Sequence, residues 1–243
     1  ILDGKFKDKN AVLNPLITCG KCEYCLSGRE HLCPNRVLLG MNIPYERQGA
    51  FAELIKVPET NIYEIPERLN IKEASVAEPT AVSLHAVLMG ENSIKKPLSE
   101  CRTLVQGAGA IGLLCSLILS KIKGNKNIVM SDPNKLRLKE CSKYFDAKFV
   151  DPTHKEIKND SFDIVFDTVG LEVSRQQAIS VVKPGGIIIH IGLTQPSGQF
   201  NFRKATLQEI TFIGTYCYTN KDFENTIKIL ADRNIGDLSW IEY

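Results

Sequence analysis

Thr103-Leu104-Val105-Gln106-Gly107-Ala108-Gly109-Ala110-Ile111-Gly112 runs a short apolar strand straight into three glycines spaced G-x-G-x-x-G, with a helical pattern over 112–123 behind them. Glycines at this spacing alone would mark only a tight turn. The strand before and the helix after turn them into a dinucleotide fingerprint. Gly107 permits the turn, Gly109 lets backbone amides approach a pyrophosphate, and Gly112 lets the helix lie close to the sheet. The free N–H groups and positive end of that helix then face the phosphates. Gly107, Gly109, Ala110, Ile111 and Gly112 are the expected cofactor-binding residues of this segment. Asp132 closes the next strand, twenty residues after Gly112. A carboxylate there accepts hydrogen bonds from the adenosine ribose hydroxyls and repels a 2′-phosphate, which favours NAD over NADP. Arg137 works against that preference, since a cation partly offsets a phosphate. Asp132 also precedes Pro133 as a helix N-cap would, and that role stays open. Val169, in the loop Asp167–Gly170, and Gly192, in Gly192–Thr194, lie where other loops line such a crevice, although glycines there also serve plain turns.

Outward from this motif the pattern alternates. Strands are expected at Ile128–Ser131, Phe149-Val150, Phe162–Asp167, Ile187–Ile191 and Ile210–Ile213. Helices are expected over Asn134–Phe145, around Val173–Val182 and over Asp222–Leu230, with Lys183-Pro184-Gly185-Gly186 breaking the second. Largely apolar strands alternating with helices predict an α/β fold with a doubly wound parallel sheet covered on both faces. His190 is the polar exception in its strand. Residues 1–80 differ: they are rich in cysteine, proline and turn residues, with short strand-like runs at Ala11-Val12-Leu13, Phe51–Val57 and Asn61–Ile65. This reads as a small β-rich module.

That module contains Cys19-x2-Cys22-x2-Cys25-x7-Cys33. Four thiolates suit a tetrahedral zinc, and a site closed by four protein ligands is structural rather than catalytic. Cys-x2-Cys-x2-Cys also opens a ferredoxin run, and Cys33-Pro34 resembles its ending. That run, however, places three residues before its last cysteine where this chain has seven, and no distant cysteine group completes a second cluster. Unliganded thiols remain the other alternative. His31 is expected to be an ordinary surface residue, and Cys101, Cys115, Cys141 and Cys217 small apolar ones.

Net charge is +2 with both signs mixed along the chain, which gives no basic block for nucleic acid. The longest apolar run, near Ile111–Leu119, is too short to span a bilayer. No signal segment precedes the thiols, a pattern that fits the reducing cytoplasm.

The four-cysteine lobe joined to a dinucleotide-binding sheet resembles the zinc-containing medium-chain dehydrogenase/reductase (alcohol dehydrogenase) family. The resemblance runs through nearly the whole chain, in Asn14–Gly20, Gln48–Glu53 (a strand in the family), Ala77–Ala86 and Gly214–Tyr218. Ala77-Glu78-Pro79-Thr80-Ala81-Val82-Ser83-Leu84-His85-Ala86 is most similar to the polyol branch, with its sorbitol, L-idonate and galactitol-1-phosphate dehydrogenases and, close by, threonine dehydrogenase. The resemblance implies a partial GroES-like catalytic domain over 1–84, a Rossmann NAD-binding domain over 85–215 and a returning helix and strand over 216–243. It implies hydride transfer between a small alcohol and NAD, and a homo-oligomer without nucleic-acid or membrane partners. In the family a second zinc polarises the substrate oxygen. Glu78 matches one of that zinc's ligands and is the candidate catalytic residue, with helix-start stabilisation as its plain alternative. Ile111 and Val82 would pack near the nicotinamide, Thr215 and Cys217 would contact its carboxamide, and Tyr218 would lie near substrate. His85, two turns after Glu78, reads as a packed helix residue.

The family's upstream catalytic Cys and His-Glu have no counterparts here, because Ile1–Lys7 aligns with a later strand, and Trp240–Tyr243 aligns with a strand re-entering the catalytic lobe. The expectation is an internal fragment, inactive alone, with apolar β edges prone to aggregation. The rivals are a zinc-free reductase, against which the quartet argues, and a non-catalytic zinc- and dinucleotide-binding redox sensor.

Overall fold

The computed structural model describes residues 6–41, 47–154 and 157–241. The chain divides into two compact units. One comprises Ile1–Ala81, Tyr216–Asn234 and Ile241–Tyr243, and the other Val82–Thr215 and Ile235–Trp240.

The second unit is built on six parallel strands. β5 (Thr103–Gln106) and β6 (Ile128–Ser131) are buried at every position, as strands covered on both faces must be. With β7 (Lys148–Val150), β8 (Phe162–Asp167), β9 (Val182–His190) and β10 (Thr211–Gly214) they form one sheet in the order β10-β9-β8-β5-β6-β7. Alternation along each strand sorts the side chains between two faces. Leu104, Val165 and Ile188 join Ala178 and Ile179 of α6 (Glu172–Val181) in one core, with Phe200 and Ala205 packed against it. Ala205 belongs to α7 (Phe202–Leu207). The opposite face takes α3 (Ala77–Ser93), whose Gly90 lies so near Ile164, Phe166 and Ile189 that a methyl there would come within 2.8 Å of the Ile164 Cδ1. α4 (Ala110–Leu117) follows β5, and α5 (Lys135–Cys141) follows β6.

Several elements depart from the expected pattern. The helix after the glycines spans Ala110–Leu117 and continues as a π-helical turn over Ile118–Ile122, closed by Lys123 N–H to the Ile118 carbonyl at 3.0 Å. Lys183-Pro184-Gly185-Gly186 does not sit outside the strand. It lies inside β9 as a bulge, since the register steps from Phe162↔Val182 directly to Ile164↔Ile187. Gly185 (φ +69°) takes the left-handed turn this needs. α5 ends at Cys141, short of Phe145, and α7 had no expected counterpart.

The first unit pairs β1 (Ala11–Leu13) with β4 (Ile62–Glu64), and β2 (Leu16–Ile17) with β3 (Val37–Leu38), all antiparallel. Asn61 stitches the turn between them, its Nδ2 donating to the carbonyls of Asn14 (2.8 Å) and Leu16 (2.9 Å). α1 (Glu23–Leu26) and α2 (Ile71–Ala74) are single turns. α8 (Asn220–Ala231) starts on a reciprocal Thr219–Asp222 cap and buries Phe223 against Tyr63 and Tyr218. The runs Phe51–Val57 and Gln48–Glu53 form no strand: Phe51 and Leu54 are exposed and no neighbouring backbone pairs with them among the described residues. The expected strand at Ile1–Lys7 lies mostly outside the described residues, as do Glu242 and Tyr243 of the one expected at Trp240–Tyr243.

Candidate cofactor site and metal centre

Strand order reverses at β5: β6 and β7 lie on one side, and β8, β9 and β10 on the other. The carboxyl ends of strands at such a switch point leave a crevice, and the glycine turn lies there. Gly107 (φ +96°) donates its N–H to the Ser131 carbonyl at 2.8 Å, and a Cβ on it would strike Thr168 Oγ1 at 2.6 Å. A Cβ on Gly112 would come 1.9 Å from the Gly107 carbonyl oxygen, so helix α4 can reach the strand only without a side chain there. Gly109 caps α4, and a Cβ on it would meet nothing within 4 Å. Its missing side chain is therefore not required by the protein's own packing, and it leaves open the approach to the first turn of α4. Ala110 is exposed there and Ile111 half-buried. An open helix start of this kind could hold a phosphate group.

Asp132 directly follows β6 and is 6% exposed. Its Oδ2 accepts from the Ala108 N–H (2.8 Å), which ties it to the glycine turn, and its Oδ1 accepts from Asn134 N–H (2.7 Å). The capping alternative goes to Asn134, whose Oδ1 accepts from Leu136 and Arg137 N–H at the start of α5. Arg137 itself is exposed in that first turn. Across β5, Val169 is half-buried, and Gly192 follows β9 with its N–H on the Asp167 carbonyl (3.1 Å). Thr215 follows β10, its N–H on the His190 carbonyl (3.0 Å).

Asp167 and His190 form a pair that sequence reading did not assign. Asp167 is fully buried: Oδ1 accepts from the N–H groups of Val169 (3.0 Å) and Gly170 (2.9 Å), and Oδ2 lies 3.0 Å from His190 Nδ1. Burial works to raise the Asp167 carboxyl, but His190, the loop amides and Ser174 outweigh it and hold it below the usual carboxylate range. The signal was present, since a histidine in a buried parallel strand needs a polar partner. A carboxyl depressed by folding adds stability that is complete above its unfolded pKa and is lost as pH falls through the folded value. Asp167→Asn is expected to cost about 2 kcal/mol at neutral pH. The gap from wild type should stay flat above about pH 5 and close as pH falls below about 4. Thermal unfolding of both proteins across pH checks this, and a pH-independent gap refutes it.

In the first unit the sulfurs of Cys19, Cys22, Cys25 and Cys33 lie within 4.8 Å of one another, with Cys19–Cys25 at 3.9 Å and Cys22–Cys25 at 3.5 Å. Zinc–thiolate bonds of about 2.3 Å set tetrahedral sulfur–sulfur edges of roughly 3.8 Å, so the quartet fits that ion. Gly20 (φ +68°) and Gly28 (φ +72°) turn the loop between ligands. Backbone N–H groups of Lys21 and Cys22 lower the Cys19 thiol to about 6, while burial and Cys22 raise Cys25 to about 11. His31 is buried in this loop rather than on the surface. Cys101, Cys115 and Cys141 are buried, and burial raises all three thiols.

Glu78 stands in the first turn of α3. Burial raises its carboxyl and a hydrogen bond from Tyr218 opposes the rise. Tyr218 is 1% exposed, with its hydroxyl 3.4 Å from Asn14 Oδ1, and Cys217 (φ +48°) turns the chain just before it. Val82 is half-buried and His85 buried within α3. Among the described residues the cysteine quartet is the only group of three or more His, Cys, Asp or Glu able to hold a metal.

The profile of a zinc-binding dehydrogenase matches residues 110–232, and that of an alcohol dehydrogenase GroES-like domain matches residues 4–67. The chain is 27% identical over 239 residues to D-xylulose reductase A of Aspergillus oryzae and 28% identical over 227 residues to a sorbitol dehydrogenase of Halalkalibacterium halodurans. It covers 64% of the length of each, while 93% and 90% of this chain are matched. L-idonate 5-dehydrogenase of Escherichia coli has the same fold: TM-score 0.85, 23% identity, 95% of this chain and 66% of that one. No helix among the described residues is long and apolar enough to cross a membrane. Glycine turn, thiolate quartet and matched profiles agree, and the chain belongs to the zinc-binding, medium-chain dehydrogenase family.

Proposed function

We propose that this chain is the NAD-binding and structural-zinc-bearing part of a dehydrogenase that moves a hydride between a secondary alcohol and NAD. The observation that carries the reading is the tie between Asp132 and the Ala108 amide beside the open Gly109 cradle. It supports the reading because an anionic group suited to ribose hydroxyls stands beside the positive helix end suited to phosphates. When bound, NAD supplies the hydride acceptor. The chain's residues hold it: Asp132 the adenosine ribose, the Gly107–Gly112 turn the pyrophosphate, and Val169, Gly192 and Thr215 the remainder. The quartet, closed by four thiolates, leaves no position for substrate and holds its loop.

Polyols or sugar acids are the proposed substrates. The named relatives, a xylulose reductase and a sorbitol dehydrogenase, support this through a shared chemistry: neighbouring oxygen-bearing carbons, one of which is oxidised or reduced. Glu78, hydrogen-bonded by Tyr218, is the catalytic-site carboxylate this chain contributes. Among the described residues no group of three His, Cys, Asp or Glu forms around Glu78, whereas a catalytic zinc takes three protein ligands. The 243-residue polypeptide is therefore proposed to bind zinc and NADH without oxidising alcohols by itself.

Metal analysis and NADH titration of the purified chain test the reading together. One zinc per chain is expected, with NADH bound more tightly than NADPH and no turnover of sorbitol or xylitol. Asp132→Ala removes two backbone hydrogen bonds along with the ribose acceptor, so NADH affinity should fall about tenfold or more. Equal binding of NADH and NADPH by wild type sinks the NAD assignment, and zinc-dependent turnover sinks the inactivity. The same preparation addresses assembly. β10 is an edge strand with Thr211 and Phe212 exposed, and a second copy pairing there is proposed to cover it. Sedimentation as a monomer at micromolar concentration would refute that.

A further inference from the structure

One side chain joins the two crevice loops that follow β8 and β9, and no motif marks it. Arg175 lies in the first turn of α6, where the positive helix end disfavours a cation. It is 9% exposed, and among the described residues it forms no ion pair. Instead its Nη1 donates to the carbonyls of Gly170 (2.9 Å) and Gln195 (3.1 Å), and its Nη2 to that of Ser197. Gly170 belongs to the β8 loop, and Gln195 and Ser197 to the β9 loop. Burying a guanidinium is costly unless its donors are met, and here backbone from two loops meets them.

The loops interlock around it. Gln195 N–H reaches the Gly170 carbonyl (2.9 Å), Thr194 Oγ1 the Val169 carbonyl (2.6 Å), and Glu172 N–H the Gln195 Oε1 (2.6 Å). The backbones of Gly170 and Gly192 touch so closely that a Cβ on either would come 2.2 Å from the other loop. Strand order sets what this assembly faces. Asp132, beyond β6, lies on one side of the glycine turn, and the β8 and β9 loops lie on the other. A dinucleotide with its adenosine at Asp132 and its pyrophosphate at Gly109 extends its second half over these loops.

We propose that Arg175 is a positioning residue for the nicotinamide half of the dinucleotide, holding the loops of β8 and β9 as one rigid surface. This role rests on the NAD reading above. The test compares NADH with ADP, which has only the adenosine–pyrophosphate half, on wild type, Arg175→Met and Arg175→Lys. Both variants should lose NADH affinity, about tenfold for Met and less for Lys, with ADP affinity kept within about twofold. Lysine keeps the charge and most of the volume but cannot span three carbonyls. If the Met variant does not fold, the Lys variant decides alone by the same ratio. Equal losses for NADH and ADP would show a merely structural residue and overturn the role, as would unchanged NADH binding in a folded variant. Wild type that binds neither ligand overturns the dinucleotide reading and this role with it. Wild type that binds both, with variants that do too, overturns this role alone.

Discussion

Stripping the metal from the Cys19–Cys33 loop is expected to unfold that loop and to lower the melting temperature by about 10 °C or more. The loop has little else to hold it. Its only helical pieces are α1 and one 3-10 turn at Glu30–Leu32, and Leu26 is 77% exposed. The four sulfurs, within 4.8 Å of one another, lose the ligand they would share once the ion leaves. Structural zinc contributes on the order of 10 kcal/mol to sites of this kind. The loss should spread beyond the loop. Arg36 links the Cys33 carbonyl (Nη1, 3.1 Å) to the Tyr216 ring (4.7 Å), and Asn220 Nδ2 donates to Glu30 Oε1 (3.3 Å). Tyr216–Asn220 should therefore loosen together with the cysteines. Chelation followed by limited proteolysis checks this: new cleavage is expected first in residues 18–38 and next near 216–220. A chain purified without zinc, or proteolysis unchanged after zinc release, would refute it. Because the thiols must lose protons to bind the metal, zinc retention should weaken as pH falls.

Gly112→Ala is expected to cost about 3 kcal/mol or more and to abolish measurable NADH binding. The new methyl would sit 1.9 Å from the Gly107 carbonyl oxygen and 3.2 Å from Thr168 Oγ1. Gly107 cannot retreat, because its N–H is bonded to Ser131 and Thr168 fills the space its own side chain would take. Thr168 is held in turn, its Oγ1 on the Gln106 carbonyl at 2.6 Å. Either α4 lifts off β5 or the turn opens, and both displace the amides aimed at the pyrophosphate. Gly109→Ala is the companion variant. Its methyl meets nothing within 4 Å, so stability should change by about 0.5 kcal/mol at most while NADH affinity still falls, because the methyl occupies the phosphate approach. Melting curves and NADH titrations of the two variants separate packing from binding. A Gly112→Ala protein with wild-type stability would contradict the close approach of α4 to the turn.

Much of this was legible because the signals are local. Gly107–Gly112 requires conformations and clearances specific to glycine, and the flanking strand and helix have opposite periodicities. Cys19–Cys33 carries its ligand spacing within one loop. Less legible were features whose causes lie far along the chain. Lys183–Gly186 contains the residues that end helices, yet pairing with β8 holds it within β9 as a bulge. Phe51–Val57 has strand-forming residues, but a strand needs a neighbour and none is there among the described residues. Asp132 was assigned its ribose, but its tie to the Ala108 amide depends on two strands lying side by side.

The sequence by itself determined the fold class, because the alternation of apolar strands with helical stretches is written along it, and it marked the glycine turn and the cysteine loop, whose residues each lie within about fifteen positions of one another. Only the tertiary structure decided how the crevice is built around them. Strand order brings Asp167 to His190, Gly170 to Gly192, and Arg175 to the carbonyls of both loops. Buried polar groups must find partners, and which partners they find depends on the packing of whole strands rather than on any neighbour in the chain.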